Sequence, residues 1–255
     1  MNDNSINNST GLPAQQQTFV LVHGAWQAPY AWDRVKEDLL REGYQVAVIQ
    51  LPGHGKDLTD PKSLHMESYI TYVSDAIGKI GGKVILAGHS MAGMIISGVA
   101  EQLPDLIEKL VYIAAYVPAS GQSAYALSLL DHQSQLGASL SMSEDQSEFD
   151  IKKEDITNIF CQDASDSVKQ LVLDNYRLEP AAPFSDPVVL TEGNFGKVAK
   201  YYIETLQDHG IGNKLQKVMI AAARITNVYE MNTGHTPALS HPAELSEILN
   251  RIGQQ

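Results

Sequence analysis

The sequence predicts an α/β protein built on a doubly wound, mainly parallel sheet of six strands. From residue 18 onward, short apolar runs rich in valine and isoleucine alternate with longer stretches of helical period, the pattern that builds such sheets. The runs are almost continuously hydrophobic, as in parallel strands that helices cover on both faces. Because the chain has 255 residues, 44% of them hydrophobic, we expect one globular domain with an insertion.

Six segments fit the strand pattern, each a run of apolar residues. They are residues 18–23, 45–50, 83–87, 110–116, 200–204 and 226–231. Between them, apolar residues recur every three or four positions, which predicts amphipathic helices. The clearest helical faces are Trp32, Val35 and Leu39; Tyr69, Val73, Ala76 and Ile80; and Leu245, Ile248, Leu249 and Ile252.

The alternation is interrupted after the fourth strand. Residues 119–190 are polar and helix-prone, so we expect them to form a helical cap inserted into the sheet domain. The sheet domain would then consist of residues 17–118 and 191–255. Residues 1–16 are polar and lack the basic start and apolar run of a secretory signal, and they are predicted to be disordered.

Charge and composition argue against several classes of partner and cofactor. The net charge of −12 disfavours nucleic acid and anionic membranes, and no apolar run reaches the roughly 18 residues needed to span a bilayer. Cys161 is the single cysteine, which excludes an internal disulfide and a cysteine metal cluster. The sequence has no glycine-rich phosphate loop and no metal-ligand spacing such as H-E-x-x-H, and the GHG stretch of the second loop is interpreted as a turn. We therefore expect a cytoplasmic protein without cofactor or metal that acts on a small molecule.

The stretch AGHSMAG, residues 87–93, follows the third strand and precedes a helix. It is similar to the G-x-S-x-G nucleophile elbow, in which a serine occupies a sharp turn between a strand and a helix that pass close together. Ala92 stands where the last glycine is usual, so the tightness of this turn is open. The alternative interpretation of Ser90 is a buried serine that caps a core helix.

A catalytic serine needs a histidine base, and the base needs an acid that orients it. His235 lies in the loop after the sixth strand, where it can reach the end of the sheet, and Asp208 follows the fifth strand. The other histidines in this part of the chain are His209, interpreted as a pocket wall or loop residue, and His241, interpreted as a residue at the start of the last helix. Glu204 is the alternative acid, and Asp208 could instead be an ordinary turn residue.

Two backbone N–H groups are needed to stabilise the negative charge that develops on the substrate oxygen. Met91 follows Ser90 at a helix N-terminus, whose dipole favours negative charge. Ala25 lies in the loop after the first strand and is the simplest choice for the second donor.

Five segments of the sequence together resemble the plant methylesterase and hydroxynitrile lyase group of the α/β-hydrolase superfamily, with its bacterial esterase relatives. These segments are FVLVHGAW, LPGHG, KVILAGHSMAG, YIETLQDHGI and GHTPALSHP. The resemblance covers about residues 19–252 and implies an α/β-hydrolase fold with a cap lined by apolar residues above the serine. It also implies the roles of nucleophile for Ser90, base for His235, acid for Asp208, and oxyanion donors for the N–H groups of Ala25 and Met91.

The same resemblance bears on the type of reaction. Members of the lyase branch typically carry a threonine after the first-strand histidine and a lysine after the catalytic histidine, whereas this chain has Gly24 and Thr236 there. We therefore expect a serine carboxylic-ester hydrolase that acts through an acyl-enzyme on a small or medium apolar or aromatic ester. The alternatives are a hydroxynitrile lyase, another acyl transfer such as lactone or amide cleavage, and a non-catalytic small-molecule receptor.

The cap and the loops after the strands are expected to set the substrate. The pocket candidates are His23, Gly24, Trp26, His89, Tyr125, Leu129, Phe160 and Phe184. For those in the cap, packing in the core is an equally open interpretation. A homodimer formed through the cap or the core helices would suit the resemblance.

Overall fold

The alternating apolar runs form a single parallel sheet of six strands. The computed structural model describes residues 17–255, so the predicted disorder of residues 1–16 lies outside the described residues. The strands are β1 Thr18–Val22, β2 Gln45–Ile49, β3 Val84–His89, β4 Ile107–Ile113, β5 Leu140–Met142, β6 Glu148–Ile151, β7 Glu179–Pro180, β8 Ala199–Thr205 and β9 Asn227–Met231. Six of them pair in parallel in the order β2-β1-β3-β4-β8-β9, which confirms the predicted fold class.

The register brings the carboxyl ends of the central strands to one edge of the sheet. Val22 of β1 pairs with Gly88 of β3, His89 pairs with Ile113 of β4, and Thr205 of β8 pairs with Met231 of β9. Ligands of open parallel sheets bind beyond the carboxyl ends of the strands. The loops that carry the predicted site residues therefore begin at a common edge.

Helices cover both faces of the sheet. They are α1 Asp33–Arg41, α2 Met66–Gly78, α3 Ala92–Gln102, α4 Ala124–Ser128, α5 Leu136–Ser139, α6 Ile156–Cys161, α7 Asp166–Asp174, α8 Ala182–Ser185, α9 Asn213–Ala222, α10 Pro237–Ser240 and α11 Pro242–Gly253. Alternate residues of β1 enter two separate cores: Phe19 and Leu21 pack with α1 and α11, whereas Val20 and Val22 pack with α2, α3 and α9. No helix within residues 17–255 is both long and apolar enough to cross a membrane.

The fourth strand is displaced from its predicted position of residues 110–116. The observed strand β4 begins at Ile107 and includes Lys109, a charged residue that interrupts the apolar pattern but is buried and donates from Nζ to the carbonyl of Ile252 at 3.0 Å. It ends before Ala114, whose φ of +46° breaks the extended backbone. The apolar residues that follow belong to a loop, so their hydrophobicity reflects burial in that loop rather than strand structure.

The segment between β4 and β8 contains the five short helices α4–α8, and it also contains β-structure that the helical prediction missed. Strands β5, β6 and β7 form an antiparallel sheet in which Met142 pairs with Phe149 and Glu148 with Pro180. The turn between β5 and β6 is closed by Asp145, which accepts hydrogen bonds from the hydroxyl groups of Ser143 and Ser147. The short alternation of LSM and EFDI was too brief to stand out from the polar sequence around it.

Candidate active site

Ser90 occupies the sharp turn between β3 and α3. Its φ of +57° lies in the left-handed region, where residues other than glycine are uncommon and strained. The turn is held by the Ser90 N–H, which donates to Ile113 at 3.2 Å, and by the Ser90 carbonyl, which accepts from Gly93 and Tyr116 at 3.1 and 3.2 Å. The side chain is 9% exposed. Ser90 thus has the strained backbone of a nucleophile elbow.

The closest packing of this turn falls at Gly93 rather than at Ala92. A Cβ atom at Gly93 would lie 2.0 Å from the carbonyl oxygen of Tyr116, a distance that the backbone could not accommodate without moving. Ala92 begins α3 and is fully buried, and the turn around Ser90 is formed with its methyl group in place. The unusual alanine of the elbow is therefore accommodated, and the glycine that the turn requires is the next residue.

His235 links Ser90 to Asp208 through hydrogen bonds on opposite nitrogens of its ring. The Ser90 hydroxyl donates to Nε2 at 2.9 Å, and Nδ1 donates to both carboxylate oxygens of Asp208 at 2.9 Å. All three side chains are buried. This pattern places the proton of a neutral imidazole on Nδ1 and leaves the Nε2 lone pair facing the serine, as a general base requires.

Donors from β8, from the loop after it and from α9 surround Asp208. Oδ1 accepts the backbone N–H groups of Gly210 and Ile211 at 2.7 and 2.8 Å, and Oδ2 accepts from Thr205 Oγ1 at 2.7 Å and from Gln216 Nε2 at 3.0 Å. With the His235 contact, every hydrogen bond of the carboxylate is one that its ionised form accepts. Sequence reasoning missed Gln216, whose available signal is a polar side chain on the apolar face of α9.

The alternative base and acid residues face other groups. His209 donates from Nδ1 to the carbonyl of Asn158 at 2.9 Å. His241 lies between α10 and α11, with Nδ1 at 3.0 Å from Ser240 Oγ and 3.4 Å from Asp163. Glu204 accepts from Asn213, and burial raises the pKa of its carboxyl. None of these three has a hydrogen bond to Ser90 within the described part of the chain.

The two predicted oxyanion donors are buried beside the serine turn. Ala25 lies in the loop after β1, and Met91 directly precedes α3. Within residues 17–255, neither backbone N–H donates to another protein group. Buried N–H groups are nearly always hydrogen-bonded, so unpaired donors at this position suit a site that binds an oxygen of its ligand.

Two neutral histidines support the loops of the site. His89 donates from Nε2 to the carbonyl of His235 at 2.8 Å, and burial, together with the neighbouring His235, lowers its pKa to about 3. His23 donates from Nδ1 to Gly24 and accepts from Leu51 N–H on Nε2, and burial lowers its pKa to about 3 as well. Both were predicted as pocket candidates, and both bind backbone groups of loops close to Ser90 and His235.

Gly24 lies in close contact with the elbow. A Cβ atom on it would be 2.7 Å from His89 Nδ1 and 2.9 Å from the Cβ of Ser90. The absence of a side chain at this position lets the first-strand loop approach the serine.

Aromatic side chains from the loops and the cap converge beside His235. The ring of Phe160 lies 5.9 Å from the imidazole and 5.7 Å from Trp26, and Phe184 lies 5.7 Å from Trp26. Phe149 of β6 packs edge-on against Phe184 at 5.6 Å and was missed by sequence reasoning. These four residues, which we call the aromatic wall, are separated by distances typical of favourable aromatic pairs.

Two of the cap candidates face solvent instead. Tyr125 of α4 is 52% exposed and Leu129, which follows it, is 62% exposed. Their predicted place in the pocket therefore has no support from their burial, in contrast to Phe160 and Phe184.

The cap also forms hydrogen bonds with the backbone of the loops that carry His235 and Asp208. Asp163 accepts the N–H of Gly234 at 2.8 Å, next to His235. Asp131 accepts the N–H of Gly212 at 2.7 Å, and Ser134 donates to the carbonyl of Gly210 at 2.7 Å, both in the loop after Asp208.

No group of three or more histidine, cysteine or carboxylate side chains in residues 17–255 is arranged to hold a metal ion.

Comparison with known proteins identifies one family. A model of the alpha/beta hydrolase family matches residues 19–248. The chain is similar to "Putative methylesterase 11, chloroplastic" of Arabidopsis thaliana, with 31% identity over 248 residues, and spans 92% of its own length but only 64% of that relative. It is also similar to salicylic acid-binding protein 2 of Nicotiana tabacum, with 25% identity over 93% of this chain and 97% of the relative.

Solved structures show the same architecture. An extracellular alpha/beta-hydrolase from a Paenibacillus species superposes with a TM-score of 0.79 and 25% identity, over 94% of this chain and all of the other. The similarity extends through the cap as well as the sheet, because so little of either chain is left uncovered.

Proposed function

The chain belongs to the alpha/beta hydrolase family, and from that membership and the geometry of its site we propose that it is a serine carboxylic-ester hydrolase. The observation that carries the proposal is the hydrogen-bonded series from Ser90 through His235 to Asp208, with contacts of 2.9 Å at both nitrogens of the imidazole. Its similarity to proteins named methylesterases supports the same type of reaction.

The proposed reaction begins with attack of the Ser90 oxygen on the ester carbonyl while the hydroxyl proton passes to Nε2 of His235. Asp208 keeps Nδ1 protonated and stabilises the imidazolium that forms. The carbonyl oxygen becomes negative and accepts hydrogen bonds from the N–H groups of Ala25 and Met91.

The tetrahedral intermediate then collapses to an acyl-enzyme. The bond to the alcohol oxygen breaks, and His235 returns its proton to that oxygen, so the alcohol leaves neutral. Water attacks the acyl carbonyl with His235 again acting as base, the Ser90 oxygen leaves and takes up the proton, and the free acid is released.

The aromatic wall of Trp26, Phe149, Phe160 and Phe184 supports an apolar or aromatic ester as the substrate. Phe160 contacts the catalytic histidine directly, so a group bound near the reacting carbonyl would meet aromatic faces. An aromatic substrate also agrees with the name of one relative, salicylic acid-binding protein 2.

A hydrolysis panel of p-nitrophenyl and methyl esters with graded acyl groups tests the proposal. We expect Ser90→Ala and His235→Ala to lower kcat/KM by at least about 10³-fold. His209→Ala, which removes the histidine next to Asp208 in the sequence that instead bonds the carbonyl of Asn158, should remain within about threefold of the unmodified protein. Full activity of Ser90→Ala, or a loss confined to His209→Ala, would exclude the assigned roles.

The alternatives give different results in the same panel. A lyase would release cyanide from mandelonitrile without hydrolysing any of the esters, and a receptor would bind a small molecule without turnover.

The cytoplasmic location and the homodimer that the sequence suggested stay predictions. The methylesterase relative is named chloroplastic, and the hydrolase from Paenibacillus is named extracellular.

A further inference from the structure

The GHG stretch after β2 contains a buried histidine with a carboxylate partner from the cap. His54 is 3% exposed and donates from Nδ1 to the carbonyl of Pro52 at 3.0 Å. Its Nε2 lies 2.8 Å from Oε2 of Glu179, which belongs to β7 of the cap and is 0% exposed. Burial alone would lower the pKa of His54, but the adjacent carboxylate raises it above its usual value. Both ring nitrogens of His54 thus face oxygen acceptors, an arrangement that favours its protonated form, and Glu179 is its carboxylate partner.

The same carboxylate oxygen holds the loop that contains the proposed oxyanion donor. Glu179 Oε2 accepts the backbone N–H of Trp26 at 2.6 Å. Trp26 directly follows Ala25 and has a φ of +57°, an uncommon conformation for a large side chain. A short hydrogen bond from a peptide N–H to a buried carboxylate is strong enough to keep such a strained peptide in place.

The cap segment that carries Glu179 is fixed to the GHG loop by a second contact. Arg177 donates from Nη1 to the carbonyls of Gly55 and Asp57, both at 2.8 Å. Glu179 therefore joins three parts of the chain: the cap, the loop after β2, and the loop after β1.

We propose that Glu179, paired with His54, is a positioning residue for catalysis: its carboxylate fixes the Trp26 peptide and thereby aims the neighbouring Ala25 N–H at the substrate oxygen. This role rests on the proposed ester hydrolysis. Because Glu179 belongs to β7, the loop that carries Ala25 and Trp26 is held in place only while β7 of the cap packs against it. The position of the cap is thereby linked to the stabilisation of the transition state. A buried ion pair with a purely structural role would stabilise the fold without affecting the oxyanion.

Glu179→Gln tests the role, because it keeps the size of the side chain and removes its charge. We expect kcat to fall about 10- to 100-fold with KM within about threefold, since small misplacement of a catalytic group costs up to about 10²-fold in rate. A trifluoromethyl ketone, which forms a tetrahedral adduct with serine, should lose affinity in parallel with kcat/KM. Hydrogen exchange in the peptide covering residues 23–28 should become faster.

Asp186→Asn is the matched control. Asp186 also lies in the cap and accepts both a histidine, His65 at 2.9 Å, and a backbone N–H, Met66 at 3.0 Å, but these belong to the start of α2. We expect its kcat, ketone affinity and exchange in residues 23–28 to remain at the values of the unmodified protein.

The outcomes separate this role from the proposed function. If the unmodified protein hydrolyses no ester, the proposed function fails and the role fails with it. If hydrolysis occurs but Glu179→Gln matches the unmodified protein, or Asp186→Asn loses as much, the positioning role alone is overturned. Should Glu179→Gln fail to fold, Glu179→Asp decides, because its shorter side chain keeps the charge but withdraws the carboxylate, and an unchanged kcat would again overturn the role.

Discussion

At the scale of single residues, three buried histidines besides His235 have pKa values shifted in opposite directions. His23 and His89 each use one ring nitrogen to bind a backbone carbonyl, and burial lowers both pKa values to about 3. His54 has a carboxylate on one nitrogen, which raises its pKa. The partner of each ring therefore decides the direction of its pKa shift, and burial without a carboxylate partner keeps His23 and His89 neutral.

The neutral pair should make the fold sensitive to acid. In the unfolded chain both histidines bind a proton below a pH of about 6.5, whereas in the folded protein they do so only near 3. Their full contribution to stability is thus present above pH 6.5, and each should reduce the free energy of unfolding by about 1.4 kcal/mol per pH unit as the pH falls through this window.

Urea titrations between pH 7 and pH 4 measure this slope. His23→Gln and His89→Gln should each lower it by about 1.4 kcal/mol per unit, while His132→Gln, at an exposed position, should leave it as it is. Equal slopes in all four proteins would show that neither buried histidine governs the acid sensitivity.

At the scale of elements, the elbow depends on how closely α3 passes the loop after β4. The contact is made by the backbone of Gly93 against the carbonyl of Tyr116, one position beyond the residue that the sequence pattern singled out. The strand, the turn and the helix were predictable because periodicity marks each of them. The loop after β4 could not be predicted, because its apolar residues continue the hydrophobic pattern of the strand.

Paired substitutions test this assignment. Gly93→Ala should destabilise the protein by more than about 3 kcal/mol, because its Cβ would force the backbone of Tyr116 aside. Ala92→Gly, which restores the usual elbow pattern, should cost only about 1 to 2 kcal/mol, from the lost methyl group and the added freedom of glycine, and should keep kcat/KM within about threefold. Comparable losses in the two variants, measured by urea unfolding, would place the tight contact elsewhere.

Periodicity also determines which site residues could be predicted from the sequence. Ser90, Asp208 and His235 could be predicted as site residues because each follows a strand that ends at the same edge of the sheet. Phe149 and Glu179 lie far from those strands in the cap, where no periodic pattern indicates which side chains turn toward the core. Their contribution depends on the docking of two distant segments, which local sequence does not encode.

At the scale of the whole molecule, the cap is part of the scaffold of the site. It hydrogen-bonds the loop of His235 through Asp163, the loop after Asp208 through Asp131, and the loop of Ala25 and Trp26 through Glu179. Separation of the cap would break these contacts and expose the aromatic wall to water, which costs free energy. We therefore expect the cap and the sheet domain to unfold together.

The two tryptophans allow that expectation to be measured. Trp26 contacts Phe160 and Phe184 of the cap, whereas Trp32 is buried between the sheet and the α1 face. Trp32→Phe and Trp26→Phe each leave one reporter, and in each variant the fluorescence and far-ultraviolet circular dichroism midpoints in urea should coincide. An earlier fluorescence midpoint for the protein that retains Trp26 would indicate that the cap detaches first.

In the proposed reaction, Ser90 carries the acyl group during turnover. Rapid mixing with p-nitrophenyl acetate, acid quenching and peptide mass spectrometry measure this directly. We predict a burst of p-nitrophenol of about one equivalent, if deacylation is the slower step, and an acetyl group on the peptide that contains Ser90, both lost in Ser90→Ala. Acetylation at another residue, or the same labelled peptide and turnover in Ser90→Ala, would contradict an acyl-enzyme formed on Ser90.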